Sequence, residues 1–286
     1  SRNPAVHLSD IMSNPTYGAV SASDIDLTRL VSARTDCNAS VTTAGGTRAR
    51  YRSGISYALS DPIKDTAQKL LDAMGGQAWI TPEGRLSVEA GIWRAPTVTI
   101  ERHHIVEMEY GAGTEHINRV TTLVPSYVAP ELNWQETNAD PVDDAMAVAR
   151  WGEGEAKGSD LLAVQHHGQA ADICRQRLSR MNPARAMKIK LRAFGLRLIG
   201  ERMAAVNLPQ LGLVSAPFWI ESLSFDGTNV TVDLNESDPA SFDPSTINEG
   251  LPPAVAEELD RGGVTLGTVI GSVTVITNDG GPYIRV

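Results

Sequence analysis

The sequence predicts an α+β protein, mainly antiparallel β, with a small α+β unit at its N-terminal side, a β domain after it and a C-terminal extension. Three observations predict this. Residues 187–235 carry the clearest strand alternation, stripes of helical spacing lie upstream, and a stretch dominated by Pro, Ser, Asp and Gly at 237–263 precedes a last apolar segment. Met187, Ile189, Leu191 and Ala193 alternate with Lys188, Lys190 and Arg192, and Leu196 and Leu198 flank Arg197 beyond Gly195. The strand is therefore expected to continue through a bulge or kink at that glycine. Phe218, Ile220 and Phe225 lead to Asp226-Gly227-Thr228-Asn229, from which Val230, Val232 and Leu234 return. Asp-Gly between apolar runs marks a hairpin, because glycine accepts positive φ without a Cβ clash. The stretch reads as the wall of an antiparallel barrel or sandwich.

Taken in order, Asn3 is placed to cap a helix with Pro4 in its first position, and Val6, Leu8, Ile11 and Met12 form its apolar stripe up to Asn14-Pro15. After a turn at Tyr17-Gly18, Ile25, Leu27, Leu30 and Val31 form a second stripe, with Ser23 before it and Asp24 and Asp26 in the first turn. Tyr51, Ile55 and Tyr57 alternate around Gly54 among Arg48, Arg50 and Arg52. Ser60 then caps a helix whose inner face is Ile63, Ala67, Leu70, Leu71 and Met74, stopped by Gly75-Gly76. Trp79-Ile80 and Leu86-Ser87-Val88 flank a turn at Pro82-Glu83-Gly84 and predict a hairpin. Strands follow at Val98 and Ile100, at Ile105 to Met108 and at Ile117 to Tyr127. Residues 133–160 read as a polar, acidic surface excursion, and Gln169 to Met181 as a helix with Ala170, Ile173, Cys174, Leu178 and Met181 inward. The division is residues 1–96 as an α+β unit, 97–238 as the β domain carrying helix 169–181, 239–263 as linker and 264–286 as the start of a C-terminal β element.

The chain has 286 residues, so it holds one or two cores, and its net charge of -9 argues against a surface that coats nucleic acid. Cys37 and Cys174 are its only cysteines and read as two buried free thiols. No run of eighteen apolar residues predicts a membrane span or anchor. The start, Ser-Arg-Asn-Pro, lacks an initiator Met and a signal-peptide pattern, so the chain is expected to be the middle of a longer polypeptide.

Tests for chemistry return little. His103-His104 and His166-His167 would point to opposite faces if extended, and no Cys or carboxylate stands beside them at zinc-like spacing, so no metal is assigned. There is no G-x-S-x-G, no phosphate-cradling loop and no cofactor motif. No catalytic residue is assigned and the chain is read as no enzyme. Asp140, Asp143 and Glu153 are the nearest to an acid–base set, on a polar loop with no apolar pocket to shift them. The basic stripe of Lys188, Lys190, Arg192 and Arg197 lacks interleaved aromatics, so it is read as a solvated sheet face or as a set of inter-subunit contacts.

Several short motifs in order carry a resemblance. Asn3-Pro4-Ala5-Val6, Asn14-Pro15-Thr16-Tyr17-Gly18, the helix after Asp26-Leu27, the Ser60–Gly76 helix before Ala78-Trp79 and Gly84-Arg85-Leu86, Ile117-Asn118-Arg119-Val120, and Phe218-Trp219-Ile220-Glu221 before Asp238-Pro239 are such motifs. Together they resemble the tail-tip hub or host-specificity proteins of long-tailed phages and gene-transfer particles, over roughly residues 1–240. The resemblance implies β-barrel hub domains related to the contractile-tail baseplate hub, decorated by a small α+β insertion. It implies a homotrimer at the virion tail tip, assembled in the bacterial cytoplasm. Its partners would be the distal tail protein, the tape-measure protein and tail fibre or tip proteins, and DNA would pass through without specific binding. It implies a structural role without catalytic residues or cofactors. The rival readings are a receptor- or carbohydrate-binding adhesin using Trp93, Trp134 or Trp151, and a tail-associated hydrolase using the carboxylates above.

Overall fold

The structure, a computed structural model, describes residues 2–44, 46–111, 119–244 and 249–253, and the backbone of 274–278 and 281–285. The chain divides into two compact units, Ser1–Pro253 and Ala254–Val286. The expected linker and the apolar residues Val264 to Val273 fall largely outside the described residues.

In the first unit the N-terminal signals hold. Helix α1 (Pro4–Ser13) begins at Asn3, whose side chain accepts from the Ala5 and Val6 amides and donates to Arg34 O and Asn38 Oδ1. Helix α2 (Leu27–Asn38) is capped by Asp26, not by Ser23, which lies in a preceding 3-10 turn. The inner stripe of α2 is consequently Leu30, Ala33 and Cys37, while Leu27 and Val31 are more than half exposed. Strands β1 (Ser40–Thr43) and β2 (Gly46–Ala49) form a short hairpin. Helix α3 (Ile63–Ala73) starts after Pro62 without a side-chain cap, so Ser60 does not serve it, and Gly75 leaves it at φ +54°. The expected hairpin is β3 (Gln77–Ile80) and β4 (Leu86–Glu89).

Strands β5 (Thr99–Glu101), β6 (Ile105–Gly111) and β7 (Val120–Ala129) follow. The excursion at 133–160 is more ordered than its composition suggests. It contains β8 (Gln135–Asn138), β9 (Val142–Asp143), helix α4 (Ala145–Trp151) and β10 (Glu155–Leu161), and β10 runs parallel to β7. Helix α5 (His167–Met181) packs against β7, and its first two turns are buried almost all round. Gln169 makes that possible: its amide accepts from Arg52 N and donates to Arg52 O and Ala73 O, so no polar atom of the side chain is stranded.

The remaining strands are β11 (Ala186–Leu191), β12 (Met203–Leu208), β13 (Leu213–Phe225) and β14 (Val230–Glu236). They build a six-stranded sheet in the order β5-β12-β13-β14-β11-β6, antiparallel except where β12 meets β5, and it curls as a half-barrel. The β13–β14 turn is the predicted one, with Gly227 at φ +91° and Asp226 Oδ1 accepting from the Thr228 and Asn229 amides. Strand β11 does not continue through Gly195. Residues Ala193–Leu198 form a 3-10 turn instead, because Gly195 packs on Val230, where a Cβ would lie 2.5 Å from the Val230 Cβ.

Two principal cores result. One gathers α1, α2, α3, α5 and β7 around Leu8, Leu70, Tyr127 and Ile173, so it draws on residues from both sides of position 96. The other lies inside the half-barrel around Ile100, Ile189, Phe218 and Val232. In the second unit, β15 (Thr274–Asn278) and β16 (Gly281–Arg285) pair antiparallel. Among the described residues no helix is long and apolar enough to cross a membrane.

Both cysteines are free and buried, and burial pushes the Cys37 thiol up to about 12. A thiol reagent at pH 8 is therefore expected to label neither cysteine in the native protein and both in denaturant; prompt native labelling would contradict this burial. Asn3→Ala removes the α1 cap and two tertiary bonds and is expected to cost about 1–2 kcal/mol, read as a lower urea midpoint.

Candidate functional site

The four basic residues do not form one stripe. Lys188 is exposed and lies across from Glu109 of β6 and Asp233 of β14, and Lys190 lies across from Glu107, with its Nζ 3.9 Å from Asp226. Strand β11 ends at Leu191, so Arg192 lies beyond it, and Arg197 sits in the 3-10 turn over the Phe194 ring at 5.6 Å. The outer sheet face at β11 is thus of mixed charge.

Of the candidate sugar platforms, Trp134 is 56% exposed. Trp151 is covered by the guanidiniums of Arg119 and Arg150, and Trp93 packs on Phe242 at 5.8 Å. The three carboxylates are all exposed, and two of them serve the fold: Asp140 accepts from Leu251 N, and Asp143 accepts from Thr122 Oγ1.

A cleft of about 500 Å³ opens beside the β3–β4 hairpin, where residues 89–97 meet β12 and β13. On its wall the buried Glu89 carboxylate accepts from Arg202 Nη1 at 3.0 Å, and Arg94 Nε lies 2.5 Å from its other oxygen. Arg94 also donates to Asp36 and to Ser32 Oγ, which ties α2 to the same point. The Arg202 guanidinium lies over Trp219 at 4.5 Å and Trp79 at 5.4 Å, and Arg180 lies over Trp219 at 4.1 Å. Burial pushes Arg202 down to about 10, opposed by the neighbouring Glu89. Cations on indole faces gain most where water is excluded. The cleft wall holds cations, a carboxylate and aromatic faces. Alternation and spacing do not reveal it, because Trp79, Glu89, Arg202 and Trp219 lie on separate elements.

The second histidine pair is not on a strand. His166 caps α5, its Nδ1 accepting from Gly168 N, and the His166 and His167 rings stack at 4.5 Å. Glu249 joins them: one ligand atom from each of the three lies within 4.8 Å of the others. Among the described residues the other pair has no such third ligand group, His103 lying 3.3 Å from Glu101 and His104 stacking on Phe194.

Breaking the Glu89 node tests its weight. Glu89→Ala strands the largely buried Arg202 guanidinium and is expected to cost about 3–5 kcal/mol in urea unfolding. Arg29→Ala removes a cation that is 44% exposed and 4.0 Å from the same carboxylate, and is expected to cost less than about 1 kcal/mol. Equal effects would contradict this.

No protein-family model matches the sequence, and no curated protein matches it. Solved structures do. A chain of the virion of a native gene transfer agent particle aligns with a TM-score of 0.58 and 14% identity over 84% of this chain and 48% of that one. A tail protein from Neisseria meningitidis MC58 aligns with a TM-score of 0.43 and 15% identity over 68% of this chain and 60% of that one. The 43 kDa tail protein of prophage MuSo2 from Shewanella oneidensis aligns with a TM-score of 0.41 and 11% identity over 67% and 57%. The chain spans about half the length of the gene-transfer-agent chain, and over most of its own length it shares that chain's fold.

Proposed function

We propose that this chain is a structural component of the tail tip of a phage or phage-like particle. In this reading it belongs to a trimeric hub that joins the tail tube to the tip and fibres and lets DNA pass. The observation that carries the reading is the fold shared with a chain of a gene transfer agent virion. The Glu89 cleft supports it, since its charged groups join layers, and of the three exposed carboxylates considered for hydrolysis Asp143 lines a second cavity without the other two. The half-barrel also offers an assembly surface. Among the described residues strand β6 is an edge, with Val106 and Tyr110 each about half exposed; Tyr110 lies across from Met187, on the opposite face of the sheet from Lys188 and Lys190. An edge strand with apolar side chains is a template for pairing with another chain. In this reading residues 97–238 contribute the ring and residues 1–96 decorate it. Partners would be the distal tail, tape-measure and fibre proteins.

Electron microscopy of the purified protein tests the symmetry. A three-fold ring with a central hole is expected, and Val106→Lys with Tyr110→Lys is expected to leave monomers in light scattering. A wild-type monomer at high concentration that fails to bind the distal tail protein would overturn the hub reading.

A further inference from the structure

We propose that His166, His167 and Glu249 form a site for one divalent transition-metal ion of the zinc type, a site that does not depend on the tail reading. Each residue presents one ligand atom within 4.8 Å of the other two, and two imidazoles with one carboxylate are a known ligand set for zinc and its neighbours. Side-chain rotation must close the last distance, because the two rings are stacked at an interplanar angle of 18° and have to tilt toward a common point.

Two further features point to a cation. Glu249 is 6% exposed, and its Oε2 accepts from Ala44 N at 2.7 Å; among the described residues no cationic side chain comes within ion-pair distance of it. A buried carboxylate held by a single amide bond is costly until a positive charge joins it. Arg48, which also faces His166, is already engaged by Asp172 at 2.7 Å. The second feature is Gly168: a Cβ there would lie 2.4 Å from Glu249 Cγ, so the glycine is what lets the carboxylate lie beside the start of α5. The Gly168 amide donates to His166 Nδ1, which places the ring proton on Nε2; taking the metal at Nε2 moves that proton to Nδ1, so this capping bond is released as the ring tilts toward the ion. An ion held here would fasten residue 249, which follows the half-barrel in sequence, to the β1–β2 hairpin and to the first turn of the central helix of the other core.

The test is titration calorimetry of the chelator-treated chain with Zn²⁺, together with the visible spectrum of its Co²⁺ form. One ion per chain and the bands of four-coordinate Co²⁺ are expected. His166→Ala, His167→Ala and Glu249→Gln should each weaken binding by at least about tenfold, while the pair His103→Ala and His104→Ala leaves it unchanged. Zn²⁺ should raise the thermal midpoint of the wild type and not of the three variants. Gly168→Ala retains every ligand, displaces Glu249 and should also weaken binding, which covers a ligand variant that fails to fold. No stoichiometric ion, or an affinity that survives all three substitutions, overturns the site. Loss in the histidine variants with Glu249→Gln unchanged overturns the three-ligand assignment.

Discussion

Much of this fold depends on one buried carboxylate. Glu89 ends the β3–β4 hairpin, Arg202 precedes β12, and Arg94 carries the chain between the two cores, so their shared contact binds the helical layer to the half-barrel. Glu89 and Arg202 do not tolerate separation, because an unpaired charge at their burial costs several kcal/mol. The indoles of Trp79 and Trp219 cover the Arg202 guanidinium, keep water from competing and let a charged pair sit where two apolar surfaces would otherwise slide. Hydrophobic burial supplies the bulk of the stability. The node supplies register between layers, since a fixed guanidinium geometry permits one arrangement.

A second polar construction works inside the helical core. Residues 50–58 form no helix or strand, yet they run beside α5, where their backbone needs partners. Gln169 supplies a donor and an acceptor to Arg52, while the Tyr51 hydroxyl donates to Gly91 O and accepts from Gln176. Arg48 reaches Asp172 from the β1–β2 hairpin. Polar residues on a central helix thereby do for an irregular segment what a sheet ladder does for a strand.

The sequence showed the local features plainly. Asn3-Pro4 and Asp226-Gly227 are visible because capping and positive φ act over a few residues. The misses have non-local causes. The 3-10 turn at Ala193–Leu198 alternates like a strand, and only the contact of Gly195 with Val230 decides against it. Strand β10 has no apolar alternation, as five of its seven residues are exposed, and it exists by pairing with β7. Leu27 and Val31 have helical spacing but lie on the outer side once Asp26 sets the phase of α2. The cleft and the histidine cluster were invisible for the same reason. Their members meet only after the layers pack, and Glu249 is remote in sequence from the histidines it joins.

The sheet face at β11 shows how a residue pattern changes meaning in context. Read along the strand, Lys188 and Lys190 make a basic stripe; read across the sheet, Glu107, Glu109 and Asp233 flank them. Cross-strand pairs of opposite sign stabilise the sheet modestly and leave little net field. An assembly contact at this edge would therefore draw its affinity from the apolar Val106 and Tyr110, the latter across from Met187 on the inner face, where burial is worth roughly 25 cal/mol per Å². The charges would set register and discriminate against wrong partners, since opposite charges facing one another across the sheet leave little net field for a neighbour. On that argument the edge strand, more than the lysines, decides whether copies of this chain meet.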